Sequence, residues 1–152
     1  KADVATLVFY NFECVEARHR GLDVGFFALK DWGIPDFCQL ILITTPEQLT
    51  ARGDVLARFV RVLRRGVDFL HQHPEEARAV YFARTHTDPN DALMADIFAA
   101  TLPCFTYDFS MAPRYYDRLE AWMHRAGLIE ATRGGEAYWT NDLALPAPAV
   151  SA

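Results

Sequence analysis

Apolar residues along this chain change rhythm near residue 45. Before it they come in short unbroken runs: Leu7-Val8-Phe9-Tyr10, Val24 to Leu29, and Phe37 to Thr44. Runs of this length, rich in β-branched and aromatic residues, predict three strands covered on both faces, as in a parallel sheet flanked by helices. Between the first two, Glu13 to Arg20 is compatible with a short helix that stops at Gly21. Gly33 and Pro35 mark a loop before the third.

After residue 45 the period becomes helical. Thr45 is placed to cap a helix, with Pro46 at its first position and Gln48 to complete a capping box. That piece ends near Gly53, and Asp54 can cap the next. Val55, Leu56, Phe59, Val60, Leu63, Val67 and Leu70 then recur on one face through His71. Pro74 starts another helix, with Ala77, Val80 and Tyr81 inward. Asp88 to Asp91 starts a third, with Leu93, Met94, Ile97 and Phe98 as its stripe, closed by Pro103. Met111 to Pro113 opens a fourth, with Tyr116, Leu119, Trp122 and Met123 inward, ending at Gly127. Gly134-Gly135 and Pro146-Ala-Pro148 mark a loose tail.

The predicted class is therefore α/β, with few strands followed by a run of helices. Three strands make a small sheet for so many helices to pack on. The chain also opens at Lys1-Ala-Asp, just before a predicted buried strand. Both features lead us to expect the C-terminal part of a longer protein.

Composition narrows the function. The chain has 152 residues, 51% of them hydrophobic, enough for one ordinary domain. Its formal charge of −5 argues against nucleic acid or an anionic membrane surface as partner. Arg58, Arg61, Arg64 and Arg65 gather on one helix and read as a solvated face. Cys14, Cys38 and Cys104 are too few for a disulfide framework or a zinc site, and Cys14 and Cys38 are expected to be small buried hydrophobes. No apolar run reaches membrane-spanning length. No metal-ligand spacing, nucleophile elbow or glycine-rich phosphate loop is present. Nothing here compels an enzyme, and no cofactor or metal is expected.

Glu13 carries the candidate chemistry. A buried strand that delivers polar residues at its C-terminal end, just before a helix, is where open α/β sheets hold ligands. Asn11 and Glu13 stand at that position. A local reading competes: Asn11 as a turn residue and Glu13 as a first-turn charge near a helix N-terminus.

A family resemblance bears on this choice. Asp3-Val-Ala, Tyr10-Asn-Phe-Glu13, Phe27-Ala-Leu-Lys-Asp-Trp-Gly-Ile-Pro-Asp-Phe37, the run ending Ile43-Thr-Thr, and Phe59, Arg65-Gly66 and His73-Pro-Glu-Glu-Ala77 resemble the C-terminal half of the thiamine-pyrimidine-precursor binding family. These are solute-binding components of ABC importers with the type II periplasmic-binding-protein fold. The resemblance implies that residues 1–44 form part of a second lobe and a crossover strand. Residues 45–130 would be helices packing on a first lobe, and 131–152 a loose tail. It implies a pyrimidine ligand held by Glu13, Asn11 and Tyr10, with Phe37 lining the cleft or packing in the core. A carboxylate can accept from the exocyclic amine of an aminopyrimidine, and an aromatic can stack on its ring. With the resemblance added, the ligand reading of Glu13 takes precedence over the local one. The implied partners are an ABC permease and the missing N-terminal half, with self-association of the fragment through exposed apolar surface. The implied location is periplasmic or at the cell envelope.

Two alternatives stay open. Fungal pyrimidine synthases share the fold and carry a cysteine-rich run, of which Phe37-Cys38 is what this chain retains. That reading would be an enzyme and would put the protein in the cytoplasm. A binder of another small solute such as a sulfonate is the third, although a cleft carboxylate opposes an anionic ligand.

Overall fold

The computed structural model describes residues 3–38, 40–106 and 109–144. Among them the regular structure is helical: α1 (Glu13–His19), α2 (Pro46–Gln72), α3 (Pro74–Thr85), α4 (Ala92–Thr101) and α5 (Pro113–Arg125), with three short 3-10 turns. No described helix is long and apolar enough to cross a membrane.

The helix boundaries follow local chemistry. Arg20 ends α1, and Gly21 takes φ +75° while its N–H bonds Arg18 O at 2.9 Å. Such a left-handed turn is tolerated best by glycine. Thr45 Oγ1 accepts the Gln48 N–H at 3.2 Å, as its position predicts. The expected break near Gly53 appears one residue earlier, where Arg52 leaves helical geometry at φ −133°, ψ 23°. Asp91 Oδ1 caps α4 by accepting the Met94 N–H at 3.0 Å.

The three predicted strands are not observed. The described residues of 7–10, 24–29 and 37–44 form no strand, and Gln39 lies outside the described residues. Leu7 has φ 60°. Phe9 and Tyr10 instead enter the turn that starts α1, where the N–H groups of Phe12 and Cys14 both reach Phe9 O. The runs are also not covered: Leu7 is 95% exposed, Leu40 90%, Ile43 86% and Phe27 77%. An apolar run becomes a strand only where a neighbour satisfies its N–H and C=O groups. These runs find no such neighbour among the described residues.

Three smaller expectations also change. Cys38 is exposed, whereas Cys14 is buried. Arg64 is buried and does not belong to a solvated face. On α3, Phe82 is buried while Val80 and Tyr81 are exposed. The apolar residues of α3 surround the helix and define no single stripe, so periodicity could not select among them.

The chain divides into two compact units. One comprises Lys1–Phe26 with Arg64–Tyr107. Its buried apolar residues are Cys14, Val67, Ala77, Phe82 and Ile97. Within it α1 packs on α4, and the Tyr81 and Phe98 rings lie 6.0 Å apart. His19 Nε2 meets Asp96 Oδ2 at 2.6 Å, a further tie between the same two helices.

The other unit comprises Phe27–Leu63 with Asp108–Ala152. Its centre is α5 and the segment that returns onto it. Met111 and Asn141 exchange two hydrogen bonds, N–H to Oδ1 at 2.8 Å and Nδ2 to O at 3.1 Å. Buried Glu120 accepts from Arg133 N–H, from Gly134 N–H at 3.0 Å and from the Tyr138 hydroxyl at 2.8 Å. Asp117 Oδ1 accepts the Gly135 N–H at 2.9 Å. Gly135 comes so near α5 that a Cβ there would lie 3.0 Å from Asp117 N and 3.1 Å from Tyr116 Cβ. Of the segment expected to be a loose tail, residues 133–138 are thus tied to α5, and 145–152 lie outside the described residues.

The Glu120 cluster makes this attachment depend on pH. The Arg133 N–H, then the Tyr138 hydroxyl and the Gly134 N–H, hold the Glu120 carboxyl below its usual value, against the opposing effect of burial. A carboxyl whose folded pKa is lowered stabilises the fold above its unfolded pKa and loses that contribution as pH falls through the folded value. Acidification should therefore release residues 133–138 from α5. Emission from neighbouring Trp139, followed from neutral to acid pH, should change with Glu120 intact and flatten in Glu120→Gln. An identical titration in both proteins would refute the assignment.

Candidate functional site

The N-terminal turn of α1 brings three of the four predicted site residues together. Glu13 is the first residue of α1 and is half-buried. Its Oε2 accepts the Phe9 N–H at 2.7 Å. The carboxylate thus closes the turn that precedes α1, while Oε1 keeps acceptor capacity. Asn11 Nδ2 donates to Thr101 Oγ1 at 2.9 Å, which leaves its carbonyl oxygen to accept.

Tyr10 is half exposed and stacks on Phe26, with ring centroids 5.6 Å apart and planes 21° from parallel. Its hydroxyl lies 3.1 Å from Cys104 Sγ, and that thiol donates to Ala100 O at 3.7 Å. With the thiol proton so directed, the phenol is the donor to sulfur. The hydrogen bond to Cys104 raises the Tyr10 pKa, with its charge and slight burial adding in the same direction. Tyr10 is therefore a neutral aromatic at physiological pH.

What results is a small platform: the Tyr10 ring, an amide carbonyl and a carboxylate from one turn, with the Phe26 ring stacked on Tyr10. It can accept hydrogen bonds from an amine edge and offer a flat face to a planar ring. Phe37 belongs to the other unit and is half-buried there.

Phe26, Thr101 and Cys104 were not singled out by sequence. Thr101 and Cys104 lie 90 and 94 residues from their partners, and no local pattern announces such contacts. Among the described residues of the second unit, one cavity runs along Lys30 to Pro35 and α5 and another along residues 129–138. Glu13 lines neither. No group of three or more His, Cys, Asp or Glu suited to a metal occurs among the described residues.

Comparison with known proteins adds a family. Residues 1–77 match the model described as NMT1/THI5 like. The formylaminopyrimidine-binding protein of Halalkalibacterium halodurans is 31% identical over 77 residues, which is 51% of this chain. The chain spans 23% of that relative's length. No solved structure matches the chain.

Proposed function

The chain belongs to the NMT1/THI5-like family, and on that premise we propose that it is part of a solute-binding protein for a thiamine pyrimidine precursor. The observation that carries this reading is the platform at the start of α1. Glu13 and the Asn11 carbonyl are acceptors for the amino edge of an aminopyrimidine, and Tyr10 with Phe26 offers the stacking surface. The similarity to a formylaminopyrimidine-binding protein supports the same ligand class.

In this reading the chain is the C-terminal half of a two-lobed type II periplasmic-binding-protein fold. The exposed runs at 7–10, 24–29 and 40–44 pair as strands when joined to the first half, and Phe37 lines the completed cleft. An ABC permease receives the ligand at the cell envelope. Alone, the chain offers half a cleft and much exposed apolar surface, which favours self-association.

Calorimetry with a formylaminopyrimidine tests this on the present chain and on the longer protein. Binding without turnover is expected from the longer protein, and weak or no binding from the chain alone. Tight binding by the chain alone would overturn the half-cleft reading. Silence from both would overturn the ligand, and product formation would select the synthase.

A further inference from the structure

A basic cleft in the second unit has no role in the pyrimidine reading. It is lined by Lys30, Gly33, Ile34 and Pro35 on one side and by Arg114, Arg118, Ala121 and Arg125 of α5 on the other, with Asp117 beside them. It is open to solvent, with a volume of about 510 Å³.

The arrangement concentrates positive charge in an acidic chain. At about 100° per residue, Arg114, Arg118, Ala121 and Arg125 fall on one face of α5, which runs about 16 Å between the outer two. Lys30 approaches from the opposite wall, where Gly33 at φ +89° turns the chain and Ile34 N–H bonds Leu29 O at 3.3 Å. None of the four cations has a carboxylate partner within ion-pair distance among the described residues. The one carboxylate lining the cleft, Asp117, is already bonded to Gly135 N–H. The N-terminus of α5 is uncapped by any side chain and adds its own positive end near Arg114. Between the charges the surface is apolar: Ile34, Pro35 and Ala121.

Unpaired guanidinium groups around an apolar floor suit one class of ligand. Arginine binds phosphate oxygens through paired N–H donors, and lysine adds a point charge. The floor accepts an organic body. We propose that this cleft binds a phosphate ester of a small organic molecule, with Arg114, Arg118 and Lys30 on the phosphate. The cleft shares no residue with the α1 platform and does not rest on the pyrimidine reading.

Calorimetry at low salt with AMP and pyrophosphate, and with adenosine as the uncharged control, tests the proposal on the intact chain. AMP should bind saturably and adenosine should not. Arg118→Gln and Lys30→Gln should each weaken AMP by about tenfold or more, whereas Arg58→Gln, on exposed α2 surface beside Asp54, should leave it unchanged. Circular dichroism would confirm that each variant is folded. Absence of AMP binding, equal loss in Arg58→Gln, or binding of an acidic peptide in place of phosphate esters would overturn the proposal.

Discussion

Glu13→Gln is expected to weaken binding of a formylaminopyrimidine to the longer protein by about 1.5–3 kcal/mol, roughly ten- to 150-fold. Glutamine separates the two roles that Glu13 could have. Its amide oxygen can still accept the Phe9 N–H that the carboxylate now holds at 2.7 Å, so the turn before α1 is preserved. What it loses is the negative charge, and with it the charge-assisted bond to the ligand's amine. Glu13→Ala removes both and should show the affinity loss together with a measurable loss of stability. Calorimetry and chemical unfolding on the two variants decide the matter. Unchanged affinity in Glu13→Gln, with destabilisation confined to Glu13→Ala, would reduce Glu13 to a turn residue and end the proposed recognition chemistry.

Phe82→Ala should destabilise its unit by about 3–5 kcal/mol. Phe82 is 3% exposed, the lowest of the buried apolar residues among the described residues. Its carbonyl also accepts the Thr87 N–H at 2.9 Å where α3 ends at left-handed His86. Removing the ring leaves a cavity against α3, where few apolar side chains are buried among the described residues. A loss of that size is a large share of the roughly 5–15 kcal/mol that holds a typical domain folded. Urea unfolding of the wild type and Phe82→Ala measures it directly. A difference below about 1 kcal/mol would mean that the ring is not the centre of this packing. Val80→Ala, on the same helix α3, is the internal contrast, because Val80 is 57% exposed.

Sequence alone determined what neighbouring residues settle between themselves. Thr45 and Asp91 cap helices because a short polar side chain can reach an N–H three residues on. Gly21 and Gly127 end them because their positive φ costs glycine little. The family was likewise legible, since the Tyr10-Asn-Phe-Glu13 and Gly33-Ile-Pro35 elements lie within the matched residues 1–77. Tertiary structure decided everything that depends on a distant partner. The apolar runs near 7–10, 24–29 and 37–44 have the composition of strands, but composition does not supply the neighbouring strand whose hydrogen bonds would make them so. Asn11 meets Thr101, Tyr10 meets Cys104, and Glu120 gathers donors from residues 133–138. Those pairings are set by where the chain returns in space, which no periodicity of three, four or two residues encodes.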